Sequence, residues 1–315
     1  MPPYLLLITY CLLIVAASLG GGYLPLLVRL THTRMQLMMS FVAGLMLGVG
    51  VFHMLPHAAK ELESLDRAVV WLMAGLLTMF FLVRAFHFHE HGVVEDEAEH
   101  LHDHSHAHGH DHHHDDHAHH DHAHHDHGHG HSAALGKAPL SWIGVAVGLS
   151  LHTALDGMAL AANVAADARH NPSATFLAVG TFLAIMLHKP LDALSITALM
   201  SASNWPMNVR QAVNAGFALM CPIGAMVFSF GLQQFGGDRP MVIGAALAFS
   251  AGVFICISLG DLLPELQFHT HDRIKLSTAL LAGIALAYLL GFVEPGHNHQ
   301  HGQLAPTVLS APLKL

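Results

Sequence analysis

Long apolar runs separated by short polar connectors dominate the hydrophobic pattern of this chain. An α-helix needs about 20 mostly apolar residues to cross a bilayer. Eight runs have that character, and we number them as spans 1 to 8: 4–28, 36–58, 68–86, 139–166, 174–200, 209–234, 240–264 and 275–293. The sequence therefore predicts an all-α membrane protein with eight transmembrane helices.

One long polar segment interrupts this pattern between spans 3 and 4. Histidine occupies 21 of the 45 positions in residues 87–131. The segment has no apolar period and cannot bury a core, so we predict that it is disordered without metal. The predicted organisation is membrane helices in 1–86, a His-rich loop in 87–138, membrane helices in 139–293 and a short C-terminal tail in 294–315.

The composition excludes several classes of protein. Hydrophobic residues make up 53% of the chain and charged residues 11%, whereas a typical soluble domain has about 25% charged residues. A water-soluble globular enzyme is therefore disfavoured. The chain has no cluster of Lys and Arg to suggest nucleic acid. The first cation is Arg29, so span 1 is expected to be a retained helix rather than a cleaved signal peptide.

The distribution of Lys and Arg predicts an orientation in the membrane. A small excess of these residues lies on the side that carries the His-rich loop. Because cytoplasmic loops are enriched in Lys and Arg, this side is expected to be cytoplasmic and both termini to lie outside. The prediction is a multi-pass protein of the cell (cytoplasmic) membrane.

Spans 2 and 7 contain related sequences. Phe41 to Gly44 recurs as Phe249 to Gly252, and His53 to His57 aligns with Asp261 to Glu265 at the same offset of 208 residues. Helices five spans apart run in opposite directions across a membrane. The similarity therefore predicts an inverted repeat, which is typical of transporters.

Spans 4 and 5 share a second pattern, His-x-x-Leu-Asp. It begins at His152 and ends at Asp156 in span 4, and it runs from His188 to Asp192 in span 5. Residues four apart lie on one helix face, roughly 6 Å apart. Ionisable groups at membrane depth are energetically unfavourable and usually functional. Lys189 is a fifth such group. The alternative to a binding site is therefore that these residues form a structural Asp–Lys ion pair.

The two pairs have the chemistry of a divalent-cation site. Two neutral imidazoles and two carboxylates carry a charge of about −2, which one divalent ion would neutralise, and two nitrogens with two oxygens form a tetrahedral zinc set. Fe²⁺ and Mn²⁺ accept similar ligands, so ligand type does not select the metal. Pro190 lies within the span 5 motif. It either frees backbone carbonyls to line a cavity or only kinks the helix.

At these residues the chain resembles the ZIP family of zinc and iron transporters. The resemblance covers all eight spans and rests on four features: 152–157, 188–193, the His-rich loop after span 3, and the Leu-Pro ends of spans 2 and 7. It implies an eight-helix transporter rather than an enzyme, which imports a divalent metal into the cytoplasm without an organic cofactor. It also implies a metal site shared by spans 4 and 5, with His152 and Asp192 as the foremost ligands, then Asp156, and with His188 as a ligand or a close neighbour.

This sequence departs from the family pattern at several positions. Asp156 and Asp192 stand where Glu is common, which implies a tighter site. Members that hold two metals have an acid, an Asn and a second acid where this chain has Lys189, Thr153 and Cys221. The resemblance therefore predicts one transported metal, because an ammonium group at residue 189 would repel a second cation.

Further candidate residues lie outside the central site. The resemblance makes Met46 a thioether ligand, although a packing role is equally expected. His53 and His57 would collect metal at the outer end of span 2, unless they only face lipid headgroups. Asp261 and Glu265 would receive metal at the opposite end of the repeat, unless they form a solvated helix end.

The His-rich loop is expected to bind several ions on the cytoplasmic side, as a buffer or a sensor. Its densest candidate ligands are His112, His113, His114, His119, His120, His124 and His125. Two other functions remain open, a membrane-embedded zinc hydrolase and an exporter of the cation-diffusion type. The expected partners are divalent metal ions and the lipid bilayer, and the sequence leaves a homodimer open.

Overall fold

A computed structural model describes residues 2–27, 32–87, 141–170, 177–268 and 273–292. Every regular element in these ranges is helical. The helices are α1 (Pro3–Leu27), α2 (His32–Val49), a π-helical segment (Gly50–Met54), α3 (Leu55–Leu62), α4 (Leu65–His87), α5 (Ser141–His170), α6 (Val179–Ala202), α7 (Met207–Ala218), α8 (Met220–Gln233), a 3₁₀ turn (Gly236–Asp238), α9 (Arg239–Phe268) and α10 (Arg273–Leu290).

These helices reproduce the predicted spans. Seven helical stretches in the described part of the chain are long and apolar enough to cross a membrane, and Ile274–Leu290 is a shorter apolar helix. Span 2 consists of α2, the π-helical segment and α3, and span 6 consists of α7 and α8. The predicted all-α membrane fold is confirmed. The His-rich loop beyond residue 87 and the tail 294–315 lie outside the described residues.

Glycines hold α2 against α10 at backbone contact. A methyl group built on Gly44 would collide with the carbonyl oxygen of Leu280, and one built on Gly283 would collide with that of Phe41. Small residues allow membrane helices to approach this closely, and the resulting packing replaces the hydrophobic effect as the force between helices in lipid. The pair therefore packs through both glycines.

The same arrangement joins α4 to α9. A methyl group on Gly75 would collide with the carbonyl oxygen of Phe249, and one on Gly252 with that of Leu72. Adding 208 to the glycine numbers of α2 and α4 reaches those of α9 and α10. The two helix pairs thus use equivalent positions, as the offset between spans 2 and 7 predicts.

A third contact follows the same offset, between α2 and α9 themselves. The hydroxyl group of Ser258 donates a hydrogen bond to the carbonyl oxygen of Ala43. At the equivalent position, a methyl group on Gly50 would lie 3.4 Å from the carbonyl oxygen of Ala251. The two repeat-related helices therefore meet through reciprocal contacts.

The π-helical segment in span 2 has a local cause. Pro56 carries no backbone N–H and its ring would clash with the carbonyl of Phe52 in a regular α-helix. The chain widens by one residue immediately before the proline, and Leu55 donates its N–H to the carbonyl oxygen of Gly50. Such π-bulges often occur at functional sites. This bulge alters the angular relation between His53 and His57.

Two further glycine contacts position the helices that carry the His-x-x-Leu-Asp motifs. On α5, a methyl group on Gly157 would collide with the carbonyl oxygen of Cys221 in α8, and on α1 a methyl group on Gly21 would collide with the backbone of Pro190 in α6. Helix α6 runs through Pro190 without interruption from Val179 to Ala202. Each motif therefore lies against a tightly packed supporting helix.

We expect Gly252→Ala to lower the thermal stability of the protein in detergent. The added methyl overlaps the backbone of α4, and overpacking of this kind costs roughly 1–3 kcal/mol. The matched control is Gly216→Ala on α7, since nothing lies within 4 Å of a methyl group there. Thermal unfolding of both variants measures the difference. Equal melting temperatures for the two variants would contradict the packing described here.

Candidate metal centre

The two motifs of spans 4 and 5 face each other inside the helix bundle. His152 and Asp156 project from α5, and His188 and Asp192 project from α6. The side chains are almost fully buried, with Asp156 at 0% exposure, except that Asp192 is 16% exposed. The sequence prediction that these four residues meet is therefore what the structure shows.

The distances between the candidate ligand atoms lie close to those of a tetrahedral metal site for Asp156 and are longer for Asp192. Two ligands of a tetrahedral zinc ion with bonds of about 2.1 Å lie about 3.4 Å apart. The Oδ2 atom of Asp156 is 3.4 Å from His152 Nε2 and 3.2 Å from His188 Nε2. The Oδ2 atom of Asp192 is 3.9 Å and 3.8 Å from the same two nitrogens. Modest side-chain adjustment would bring all four atoms around one ion.

Backbone contacts orient the imidazole of His188. Its Nδ1–H donates a hydrogen bond of 2.7 Å to the carbonyl oxygen of Ala184, one turn earlier on α6. The bond places the lone pair on Nε2, which faces the carboxylates. Fixing a ligand histidine through its other nitrogen is typical of metal sites. By contrast, the buried Nδ1 of His152 and Oδ1 of Asp156 find no hydrogen-bond partner among the described residues.

The ammonium group of Lys189 lies in the middle of this ligand set. Its Nζ is 2.5 Å from Asp156 Oδ2, 3.0 Å from Asp192 Oδ2, and 3.2 Å from both His188 Nε2 and Thr153 Oγ1. The Lys189 side chain is only 1% exposed. The sequence left a structural Asp–Lys pair open as the alternative to a binding site. The structure shows Lys189 paired with both carboxylates, and its shorter contact is with Asp156.

This position of Lys189 changes the charge balance that the sequence suggested. With neutral imidazoles, the two carboxylates and one ammonium carry a net charge of about −1, not −2. A bound divalent ion would leave about +1 if the ammonium stayed in place. The charge of the centre therefore depends on the two carboxylates and on the ammonium of Lys189. The hydroxyl of Thr153 is neutral, and it donates a hydrogen bond of 2.7 Å to the carbonyl oxygen of Leu149.

Met46 and Cys221 belong to the buried apolar cluster that reaches the centre at Phe254. Both are fully buried in the hydrophobic cluster that also contains Ile185 and Phe254. The ring of Phe254 packs edge-on against His188, with 6.4 Å between the ring centroids. Met46 and Cys221 thus help to exclude water, and a direct contact with metal remains a prediction for Met46.

The structure separates His53 from His57. His53 is buried and its Nε2 lies 2.6 Å from the carbonyl oxygen of Ala287 in α10, where it donates a hydrogen bond. His57 lies beyond the π-helical segment, and its Nδ1 is 3.4 Å from Oδ1 of Asp167 on α5. The expectation that His53 and His57 collect metal at the outer end of span 2 stays a prediction.

A cluster of charged groups lies beside His57, and the sequence did not predict it. Glu61, one turn further along α3, has its Oε1 atom 3.4 Å from His170 Nδ1 and 3.6 Å from Arg169 Nε on α5. The Glu61 side chain is 2% exposed and this oxygen has no hydrogen-bond partner among the described residues. The sequence signal that could have indicated this cluster is the spacing of Asp167 and His170 at the end of span 4.

The remaining candidates fall on residues without described side chains. Asp261 and Glu265 belong to α9, but their side chains lie outside the described part of the chain. All seven loop histidines, from His112 to His125, lie outside the described residues. Their proposed roles therefore stay predictions.

The charge balance generates a test of stability. We expect Asp192→Asn to raise the melting temperature of the metal-free protein, because it leaves one carboxylate with one ammonium. An uncompensated buried charge carries a desolvation penalty, part of which this substitution removes. The control is Asp238→Asn, an exposed carboxylate in the 3₁₀ turn, which should leave thermal unfolding unchanged. A lower melting temperature for Asp192→Asn would show that the charge count is wrong.

Comparisons with known proteins agree on one family. The family model described as "ZIP Zinc transporter" matches residues 4–291. The chain is 30% identical over 171 residues to zinc transporter ZIP9 of Micropogonias undulatus, covering 50% of this chain and 53% of that protein. It is 28% identical over 153 residues to zinc transporter 3 of Arabidopsis thaliana, covering 46% of this chain and 42% of that protein. The chain spans about half the length of the curated relatives it matches. Because the family match extends over nearly all the described helices and both motifs, the chain belongs to the ZIP zinc transporter family.

Proposed function

We propose that this protein carries a divalent metal ion, zinc before iron or manganese, across the membrane into the cytoplasm. The observation that supports this most directly is the set of buried His and Asp ligand atoms, 3.2–3.9 Å apart, on two membrane-spanning helices. A buried set of metal-ligating side chains on helices long enough to span a membrane is suited to transport. Neither a hydrolase nor a cation-diffusion exporter has a specific observation in its favour.

The ion in transit would be held by His152, Asp156, His188 and Asp192. Three of these, His152, His188 and Asp192, offer ligand atoms that all lie within 4.8 Å of one another. Asp156 Oδ2 lies closer to both imidazole nitrogens than Asp192 Oδ2 does. Two nitrogens and two oxygens in a tetrahedral arrangement suit zinc.

One ion rather than two would occupy the centre. The ammonium of Lys189 lies among the ligand atoms, 3.2 Å from the hydroxyl of Thr153. A second cation placed beside it would be repelled by this positive charge in a medium of low dielectric constant. Cys221, also fully buried nearby, supplies no carboxylate to offset that repulsion.

Metal would enter at the end of the bundle where α3 meets the end of α5. His57 and Asp167 lie 3.4 Å apart there, which again matches the spacing of two tetrahedral ligands. The buried acid Glu61 adds negative potential beside them. On the repeat-related side, Asp261 and Glu265 of α9 would receive the ion as it leaves.

The His-rich loop would then bind released metal on the cytoplasmic side. Imidazole-rich segments bind zinc with many interchangeable ligand pairs. We propose a role as a buffer or sensor, with both chain termini on the opposite side of the membrane, and with transport itself independent of the loop.

Uptake into proteoliposomes tests the proposed function. We expect the wild type to accumulate zinc and to prefer it to iron and manganese. His152→Ala and Asp192→Asn should each reduce zinc uptake at least about tenfold, since each removes a ligand from the metal. Asp238→Asn, exposed and distant in sequence, serves as the matched control and should transport normally.

Two results would overturn this function. A folded wild type that takes up none of the three metals would refute transport of these ions. Full uptake by both ligand variants would show that metal crosses elsewhere. A measured preference for iron or manganese would correct the substrate while leaving the route through the centre in place.

The entrance is tested by His57→Gln. The substitution removes one ligand at the entry while the centre stays intact, so the KM for zinc should rise about two- to fivefold with Vmax within about twofold. The control is Glu63→Gln, because Glu63 is exposed in the turn just after α3. If His57→Gln changes Vmax alone, the residue does not act in capturing metal.

A further inference from the structure

The cation-binding position of the centre is already taken in this structure. The oxygens that a metal would bind, Oδ2 of Asp156 and Oδ2 of Asp192, are the ones that hold the Lys189 ammonium, at 2.5 Å and 3.0 Å. His188 Nε2, which carries the lone pair, also accepts from that ammonium at 3.2 Å. Three of the four candidate ligands are thus bonded to Nζ.

A metal and this ammonium cannot share these ligands comfortably. An ion bonded to Asp156 Oδ2 at about 2.1 Å would lie no more than about 4.6 Å from Nζ, given the 2.5 Å contact. At that distance, in the interior of a protein, a divalent ion and an ammonium repel each other strongly. The lone pair of His188 is also unable to accept from Nζ and bind a metal at once.

The structure also places an aromatic ring near the ammonium. The ring of Phe217, on α7, lies with its centroid 5.7 Å from Nζ. Phe217 is 3% exposed, so its ring is shielded from water. A cation within about 6 Å of an aromatic face is attracted to it, and more strongly where water is excluded. The flexible four-carbon stem of lysine allows the ammonium to move from the carboxylates towards this ring.

We infer that Lys189 is a tethered cation that holds the ligand set together when no metal is bound, and that it moves towards the Phe217 ring when a divalent ion enters. This inference rests on the proposed function and adds a step to it. The two carboxylates are never without a positive partner. Metal binding exchanges one cation for another, and return of the ammonium favours release of the metal.

Such an exchange also discriminates by charge. A sodium or potassium ion has the same charge as the ammonium and must compete with a group that is covalently held at the site. A divalent ion brings twice that charge to the same carboxylates, so only it gains enough to displace the lysine. Lys189 would therefore be a specificity-determining residue for divalent over monovalent cations.

Zinc-uptake kinetics of two variants test the exchange, because they should shift in opposite directions. Lys189→Met removes the competing cation, so the KM should fall about fivefold or more, Vmax should fall as release slows, and Na⁺ should become a competitive inhibitor. Phe217→Leu removes the second position of the ammonium, so the KM should rise about threefold or more. Phe217→Tyr, which keeps the ring, should raise the KM less than Phe217→Leu does.

The matched control is Phe230→Leu on α8. Phe230 is 66% exposed on the outer surface of the bundle, so the same truncation there should leave uptake kinetics unchanged. A purely structural role for Phe217 would lower stability without moving KM. A purely structural role for Lys189 would lower zinc affinity or abolish uptake without introducing inhibition by Na⁺.

A binding measurement supplies a readout besides transport. This measurement is the zinc-induced rise in melting temperature of the full chain. The His-rich loop is the same in every variant, so any contribution from it cancels when variants are compared. Relative to wild type, the rise should be larger in Lys189→Met and smaller in Phe217→Leu. If Lys189→Met does not fold, the comparison of Phe217→Leu with Phe217→Tyr decides the matter.

The outcomes separate this inference from the function on which it rests. Wild-type uptake, combined with an unchanged or higher KM in Lys189→Met, would overturn the exchange and leave transport in place. Identical kinetics for Phe217→Leu and Phe217→Tyr would do the same. No uptake by any folded protein would instead overturn the proposed function itself.

Discussion

The pairing of Lys189 with Asp156 and Asp192, out of reach of water, is the interaction on which the centre depends. Each of these groups alone is unfavourable at membrane depth. Together they satisfy one another through contacts of 2.5 and 3.0 Å. One negative charge remains uncompensated, which favours the replacement of the ammonium by a divalent ion that we infer above. A stable arrangement with incomplete charge compensation is what a site needs if it is to bind an ion and also release it.

Close contacts between helix backbones hold the centre in place. The motif helices α5 and α6 are each held by a glycine contact, with α8 at Gly157 and with α1 at Gly21. Because lipid gives no hydrophobic force between helices, such contacts provide much of the packing energy. The repeat-related pairs, α2 with α10 and α4 with α9, use equivalent glycines. One packing solution is therefore used twice in the fold, around a centre made from the two helices between the repeats.

The π-helical segment before Pro56 makes the end of span 2 irregular. His53 lies within it and is buried in the bundle, where the carbonyl oxygen of Ala287 accepts its hydrogen bond. His57 is left beside Asp167. The equivalent proline of the repeat, Pro264, lies within the continuous helix α9. The two halves of the molecule therefore differ at the ends of spans 2 and 7, where metal is proposed to enter and leave.

The sequence alone predicted the all-α membrane fold, the repeat offset and the four His and Asp residues that the structure brings together on α5 and α6. These follow from helix length, from period and from the energetic cost of charge in a membrane, all of which act along a single helix. The role of Lys189, the separation of His53 from His57 and the contact of Glu61 with His170 were decided only by the tertiary structure. They depend on which faces of different helices meet, and on where one side chain reaches within a shared site. No pattern along a single helix carries that information, because the partners are brought together by packing between helices that are distant in sequence.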